Sequence, residues 1–257
     1  MKIVIAGYGA VGKSIDFALK FHSKVERFID DPALGKNYDV SVGGVPDGVV
    51  VCVATPQSED GSCTTKHVEE VFKKYGNTKY LIKSAVDPVF LTDWASREDG
   101  SYTCSPEFLR GSNTHGDATK EFLNQDFAIY GGDDCRWWDE IFKVCLPKLE
   151  RVRYISLEQA AFAKYVENTF LATKVTFFNE MYKIFHEVGF TGFDQMVEAI
   201  TLDKRIGISH TQVPGPDGKF GFGGHCLPKD LAALRYISSD TPLLDAVTDI
   251  NSELRDE

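Results

Sequence analysis

The first half of the chain alternates short apolar runs with amphipathic stretches. Apolar runs of about four to eight residues bounded by turn residues are typical of buried parallel strands. Between several of them lie helical stretches, notably TKHVEEVFKKYG and CRWWDEIFKVCLPKL. Strands are predicted at 2–6, 25–30, 48–55, 79–84, 102–105, 126–131 and 151–156. This alternation predicts an α/β fold, with a Rossmann-like, doubly wound parallel sheet over residues 1–155.

One part of the alternation is short. Between Asp30 and Val49 there is room for a short strand near YDVSV. There is no room for full crossover helices on both sides of it, since each needs about a dozen residues with its loops. An abridged region of the sheet is therefore expected there.

The second half, residues 156–257, is predicted to be an all-helical domain. Ser156 and Gln159 have the spacing of a capping box, and the chain then runs without Pro or Gly to Val188. This pattern predicts one long central helix. Shorter helices fit GFDQMVEAITL and KDLAALRYIS, and a loop rich in Gly and Pro separates them.

A glycine turn joins the first predicted strand to the first helix. In GYGAVG, Gly7 suits the tight turn, Gly9 lets backbone approach a pyrophosphate, and Gly12 lets the helix pack closely on the strand. Asp30 ends the second strand, where an acid can accept hydrogen bonds from both ribose hydroxyls, which favours NAD over NADP. The alternative is a structural turn and a surface aspartate. The two features together favour a dinucleotide site.

Two polar residues interrupt the apolar stripe of the long helix. Lys164 and Asn168 share their stripe with Ala161, Leu171 and Val175, and polar groups on such a stripe are costly unless paired. The helix pattern by itself favours a Lys164 that extends to solvent and an Asn168 that bonds neighbouring backbone. The other interpretation is that both residues serve a functional site.

A thiol follows a glycine-rich loop in KFGFGGHCLPKD. Glycines let backbone N–H groups come close to a ligand. Cys226 is either a buried structural thiol or a nucleophile that a nearby lysine ammonium would favour as the thiolate. His225 is interpreted as a surface loop residue, because adjacent residues rarely face each other.

Composition excludes several classes of protein. A formal net charge of −10 over 257 residues argues against binding nucleic acid or anionic lipid, which needs clustered Lys and Arg. No signal peptide is recognised, and no segment approaches the roughly 20 apolar residues that span a bilayer. The six cysteines have no metal-ligand spacing, so reduced thiols, a cytoplasmic location and no metal are expected. Cys52 is interpreted as a small core residue of a strand.

Seven sequence blocks resemble those of the UDP-glucose/GDP-mannose dehydrogenase family. In the family's order they are GYGAVG, VATP, IKSAVDP, SPEFLRG, KYVENTFLATKVTFFNE, DKRIG and GFGGHCLPKD. The resemblance implies NAD-dependent, two-step oxidation of a nucleotide sugar's primary alcohol to the carboxylate, with UDP-glucose to UDP-glucuronate as the first expectation. The alternatives are a related dehydrogenase for GDP-mannose or UDP-N-acetylmannosamine, and an NAD-binding module that needs a partner domain.

The resemblance also implies roles for individual residues. Cys226 would form a thiohemiacetal and then a thioester. The other implied catalytic residues are the oxyanion-stabilising pair Lys164 and Asn168, the hydrolysis base Glu107, and Asp230 and Thr55, which would hold and polarise the water. The implied cofactor contacts are Gly7, Gly9, Ala10, Val11, Gly12, Asp30, Thr55 and Ser84, and the implied substrate contacts are Arg205, Phe108, Leu109 and Gly223.

The sequence departs from the family pattern in several places. Gly111 stands where the family usually has a glutamate, and Ala85 where it has a threonine. VPGPDG lengthens the loop between Arg205 and Cys226. The family chain continues through a third, α/β domain, whereas this sequence stops at TPLLDAVTDINSELRDE, inside the expected subunit-joining helix. A homodimer through the helical domain is expected.

Overall fold

The computed structural model describes residues 1–109 and 118–256. The chain forms two compact units: unit 1 is Met1–Ser58 with Cys63–Lys164, and unit 2 is Glu59–Ser62 with Tyr165–Glu257. The expected boundary at residues 155–156 precedes the observed division between Lys164 and Tyr165. The reason is that Ala160 and Ala161, early in the long helix, belong to a buried cluster of unit 1.

A seven-stranded sheet forms the centre of unit 1. Its strand order is β2-β1-β3-β4-β5-β6-β7, and every neighbouring pair is parallel except β5 with β6. The order reverses between β1 and β3, the point where ligands bind in doubly wound sheets. The strands are β1 Lys2–Ala6, β2 Glu26–Asp30, β3 Gly48–Val51, β4 Lys79–Ile82, β5 Ser101–Cys104, β6 Phe127–Gly132 and β7 Arg151–Ile155. The predicted doubly wound fold is confirmed.

Helices cover both faces of this sheet. One buried cluster includes Ile15, Phe122 and Trp138, and a second, on the other face, includes Val68 and Leu91. The helices of unit 1 are α1 Ala10–Leu19, α2 Val40–Gly43, α3 Lys66–Tyr75, α4 Pro88–Arg97, α5 Ala118–Leu123 and α6 Cys135–Cys145, with a 3₁₀ turn at Pro32–Leu34.

The region between β2 and β3 is abridged, as predicted, but its short element is not a strand. The one-turn helix α2 begins within YDVSV, so the strand prediction there was wrong. Asp39 is the N-cap and accepts a hydrogen bond from the Ser41 N–H at 2.9 Å. An aspartate cap offers the backbone a helical turn in place of strand pairing.

Unit 2 is helical. The long helix α7 spans Leu157–Glu187, starting in unit 1, and is followed by α8 Phe193–Ile200, α9 Cys226–Ile237 and α10 Pro242–Asp256. The capping box is confirmed, because the Ser156 N–H donates to Gln159 Oε1 at 3.1 Å and the Gln159 N–H to Ser156 Oγ at 3.4 Å. Within the described ranges, no helix combines the length and apolar character needed to cross a membrane.

Candidate functional site

The three glycines of the turn after β1 differ in whether the folded chain has room for a side chain. A Cβ added to Gly7, whose φ is +90°, would lie 2.6 Å from the Cys52 carbonyl oxygen, and one added to Gly12 would lie 2.1 Å from the Gly7 oxygen. A Cβ added to Gly9 would meet nothing within 4 Å, and Gly9 has an ordinary φ of −73°. The folded chain therefore requires Gly7 and Gly12, whereas a side chain at Gly9 would occupy open space in front of the turn.

The N-terminus of α1 faces the same space. Gly9 is the N-cap and offers no side-chain acceptor, so the N–H groups of Ala10 and Val11 are left for solvent or an anion. A helix N-terminus behind a glycine turn fits a dinucleotide pyrophosphate. The residues therefore suit NAD, although the individual contacts stay predictions.

Two neighbouring aspartates at the end of β2 differ in their surroundings. Asp30 is 5% exposed; its two oxygens each accept from Lys74 Nζ at 2.8 Å, and one also accepts from the Tyr75 hydroxyl at 2.7 Å. Asp31 is half-buried and accepts from the Tyr8 N–H, inside the glycine turn, at 2.8 Å. The predicted ribose acid is thus held by the protein itself, and the acid beside the turn is Asp31, which the sequence analysis missed.

Two buried hydroxyl groups form hydrogen bonds between the loops that follow β3 and β4. Thr55 donates to the Ala85 carbonyl at 2.7 Å, and Ser84 donates to the Val53 carbonyl at 2.7 Å. Both side chains are less than one-tenth exposed. The structure assigns each hydroxyl proton to backbone, so any contact with water or cofactor would use the oxygen as an acceptor. Those two roles stay predictions.

The segment after β5 carries three of the predicted residues, and one of them, Phe108, lies beside Lys164. Glu107 Oε2 accepts from the Leu109 N–H at 2.7 Å, and the Phe108 ring packs on Phe127 with centroids 5.0 Å apart. Lys164 Nζ lies 5.3 Å from the centre of the Phe108 ring. Lys164 is buried, so the interpretation that it extends to solvent was wrong. Leu109 packs against the core cluster of Ile15; Gly111 lies outside the described residues.

A buried lysine that the sequence analysis overlooked lies at the same edge of the sheet. Lys83 follows β4, is 7% exposed and donates to Ser105 Oγ at 2.9 Å. Burial lowers the pKa of Lys83 to about 8, against the opposing effects of Cys52 and Glu107. Burial also raises the pKa of Cys52 to about 12, which makes it an inert thiol. The available signal was a charged residue directly after the apolar run YLI.

In unit 2, Asn168 and Asp230 form a buried pair. Asn168 Nδ2 donates to Asp230 Oδ2, and Lys229 Nζ pairs with Oδ1. Asn168 therefore bonds a side chain from another helix, so the interpretation of a bond to neighbouring backbone was wrong. Asp230 is 1% exposed, and α9 places it one turn after Cys226.

Cys226 is the first residue of α9 and is exposed. The helix begins three residues earlier than KDLAALRYIS suggested, so the thiol is part of the helix and not of the loop. His225, the residue before it, is the N-cap and is also exposed. A structural buried thiol is excluded at position 226, since its environment is open.

The remaining predicted substrate contacts lie apart. Arg205 is 89% exposed and binds Asp203 in its own loop, with Nε 3.1 Å from Oδ1. The Asp203 hydrogen bonds raise the pKa of Arg205, and those same bonds lower the pKa of Asp203. Gly223 lies against the Arg255 guanidinium. No group of three metal-ligating side chains occurs within residues 1–109 and 118–256.

Comparison with known proteins assigns the family. Residues 158–253 match the family model of the UDP-glucose/GDP-mannose dehydrogenase family, central domain. The chain belongs to this family. Among its relatives is the UDP-glucose 6-dehydrogenase of Rickettsia bellii, 31% identical over 224 residues, which are 80% of this chain and 49% of that protein.

Two further relatives show the range of the family. The GDP-mannose 6-dehydrogenase of Pseudomonas putida is 30% identical over 227 residues, 78% of this chain and 49% of that protein. The solved structure of a UDP-glucose dehydrogenase from Pyrobaculum islandicum, at 25% identity and a TM-score of 0.75, covers 98% of this chain and 68% of its own. The chain thus spans about half the length of the curated relatives it matches.

Proposed function

We propose that the chain is an NAD-dependent dehydrogenase that oxidises a nucleotide sugar, UDP-glucose first among the candidates, to the uronate through Cys226. The observation that carries the proposal is the exposed thiol at the first residue of α9, one turn before the buried Asp230–Asn168 pair. The glycine turn with open space in front of Gly9 supports a dinucleotide cofactor. Relatives named UDP-glucose 6-dehydrogenase support the substrate class.

The chemistry explains why a thiol is needed. Oxidation of the primary alcohol gives an aldehyde, and the Cys226 sulfur adds to its carbon as the carbonyl oxygen takes a proton, giving a thiohemiacetal. That tetrahedral carbon carries a hydrogen that leaves as hydride with loss of the hydroxyl proton, giving a thioester. Water then releases the carboxylate and restores the thiol. NAD⁺, when bound, accepts one hydride in each oxidation, so two are reduced per sugar.

The remaining residues take supporting roles. The Lys164 ammonium and the Asn168 amide would stabilise the oxyanions that develop on the substrate oxygen. The Glu107 carboxylate would remove a proton from the hydrolytic water, and Asp230 would hold the Asn168 amide in place through the observed hydrogen bond. Arg205, exposed on its loop, would bind the anionic or hydroxylated part of the substrate.

The direct test counts NADH formed per sugar consumed by the purified chain with NAD⁺ and UDP-glucose. Two equivalents of NADH are expected, and Cys226→Ser should not form the second equivalent, because the aldehyde has no thiol to add, while binding NAD with unchanged affinity. Full activity in that variant would remove Cys226 as the nucleophile.

A second candidate substrate is GDP-mannose, because a GDP-mannose 6-dehydrogenase matches at nearly the same identity. Parallel assays with GDP-mannose and UDP-N-acetylmannosamine decide between these sugars. A third candidate is an NAD-binding module that acts with a partner domain, for which the glycine turn with open space in front of Gly9 is the supporting observation. NAD binding without turnover on any of the three sugars would favour it.

A homodimer through α7 is also proposed. Four apolar side chains recur on one face of this helix in unit 2 at steps of four and seven residues, and all are about half exposed: Val166, Phe170, Phe177 and Ile184. A straight apolar stripe is self-complementary about a two-fold axis, so a second copy fits it. Phe177→Glu should convert a dimer into a monomer in light scattering; an unchanged mass would exclude this face.

A further inference from the structure

The last helix of the described chain holds the loop that leads to the thiol. Phe222, four residues before Cys226, donates its N–H to Asn251 Oδ1 at 2.7 Å. Its carbonyl accepts from Asn251 Nδ2 at 3.1 Å and from Arg255 Nε at 2.9 Å. Asn251 and Arg255 are one turn apart on α10. One face of α10 therefore satisfies both backbone groups of Phe222.

The same guanidinium holds two further parts of the loop. Arg255 Nη1 donates to the Asp217 carboxylate at 2.7 Å. A Cβ added to Gly223 would lie 2.3 Å from Arg255 Nη2, and Gly223 does not have the positive φ that would itself require glycine. A side chain at position 223 would therefore displace the guanidinium.

The residues on either side of the thiol are anchored in one core. Phe222 is buried in a cluster with Leu231 of α9 and Val247 of α10, and Leu227, directly after Cys226, packs against the same cluster. Only Gly223, Gly224 and His225 separate the clamped backbone of Phe222 from Cys226. A movement of α10 would therefore move the thiol.

We propose that Asn251 and Arg255 are positioning residues that set the location of the Cys226 thiol by clamping Phe222. The inference rests on the proposed function in taking Cys226 as the nucleophile. Misplacement of a reacting group by about 1 Å can cost on the order of 100-fold in rate. Removal of the two side chains that hold Phe222 should therefore lower the turnover rate measurably.

The test compares Asn251→Ala, Arg255→Met and Arg255→Lys with the matched control Ser252→Ala, an exposed serine on the same helix. The readouts are the rate constant for alkylation of Cys226 by iodoacetamide between pH 6 and 10, followed by mass spectrometry, and kcat and KM for NADH formation. Asn251→Ala and Arg255→Met should slow alkylation at pH 7 by about tenfold and lower kcat more than they raise KM. Arg255→Lys should restore only part of the alkylation rate and of the kcat that Arg255→Met loses, because an ammonium cannot bond Phe222 and Asp217 in the same fixed geometry.

A double-mutant cycle tests the clamp from the loop side. Gly223→Ala should slow alkylation about as much as Arg255→Met, because its methyl group displaces the guanidinium, and it should add little in the Arg255→Met background. Additive effects in this cycle, or clamp variants that behave like Ser252→Ala, would overturn the inference. If Asn251→Ala does not fold, as judged by its melting curve, the Arg255 and Gly223 variants decide.

The two proposals fail in different ways. A wild-type chain that forms no NADH, but whose Cys226 alkylation responds to the clamp variants, refutes the proposed function and supports the clamp. Normal NADH formation with no response to the clamp variants refutes the clamp alone.

Discussion

Units 1 and 2 hold their functional segments in different ways. In unit 1 these segments follow strands whose backbones are fixed by neighbouring parallel strands, and the Gly7 N–H itself bonds the Asp30 carbonyl at 2.9 Å. In unit 2 the backbone before Cys226 is bonded by side chains, namely those of Asn179, Asn251 and Arg255. A sheet positions a loop through backbone groups that most residues share, whereas the helical unit depends on individual side chains.

The largest effect on stability is expected when a side chain is added at Gly7, where the backbone of unit 1 is crowded. Gly7→Ala places a Cβ 2.6 Å from the Cys52 oxygen at a positive φ, which should lower the free energy of unfolding by about 3 kcal/mol or more. Gly9→Ala should leave stability unchanged and weaken NAD binding, since its Cβ points into open space. Urea unfolding and NAD titration of both variants measure the contrast. Equal loss of stability in the two would contradict the division between structural and ligand-required glycines.

The next effect concerns the buried charge in unit 1. At neutral pH Lys83 is protonated in both states, and its lowered pKa of about 8 means that burial of the ammonium opposes folding. Lys83→Met should raise the free energy of unfolding at pH 7 by up to about 3 kcal/mol, the equivalent of the pKa shift.

The pH dependence of stability is the control for the Lys83 prediction. Between pH 8 and 10 the folded wild type loses the Lys83 proton while the unfolded chain keeps it, so wild-type stability should rise with pH. The Lys83→Met variant lacks this rise, so the difference in free energy of unfolding between the variant and the wild type should narrow as the pH rises. Urea unfolding at pH 7, 8.5 and 10 measures it; parallel curves would show that Lys83 does not titrate in this window.

A smaller effect is expected when unit 2 loses one of its side-chain bonds. Asn179 is fully buried and accepts from the Gly221 N–H at 2.9 Å. Asn179→Ala leaves that N–H without its partner and should cost about 2 kcal/mol, with faster hydrogen exchange at Gly221. The exposed Asn124→Ala in unit 1 is the control and should change stability by less than about 0.5 kcal/mol. Unchanged exchange at Gly221 would argue against side-chain control of this loop.

The smallest effect separates the two aspartates. Asp31→Asn should weaken NAD binding by about tenfold, because Asp31 is the acid beside the glycine turn. Asp30→Asn should mainly destabilise the fold, since its buried carboxylate pairs with Lys74. Calorimetric NAD titration and thermal melting of both variants distinguish them. Loss of NAD affinity only in Asp30→Asn would support the prediction that Asp30 is the ribose acid.

The sequence was most informative where structure depends on local pattern. All seven strands, the long helix and its capping box were predicted, because hydrophobic period and cap chemistry act within a few residues. The α2 turn was mistaken for a strand, since one Asp39 cap outweighs a short apolar alternation. The start of α9 was placed three residues late, because Cys226 and His225 carry no strong helix-start signal.

Polar side chains were predicted less well because their partners come from distant parts of the chain. Residue types could show that Lys164 and Asn168 interrupt an apolar stripe, but not that Phe108 and Asp230 meet them. Asp30 and Asp31 are adjacent, so only the direction of each side chain at the strand end decides which reaches the turn.

The sequence by itself determined the doubly wound sheet, the glycine turn and the long helix, because each depends on the spacing of neighbouring residues, and the resemblance of its sequence block to the family's singled out the candidate thiol. Only the tertiary structure decided which acid lies beside the turn, that Lys83 is buried, and that α10 clamps Phe222 ahead of Cys226. These depend on contacts between residues tens of positions apart, which the burial of apolar surface brings together and which no local pattern encodes.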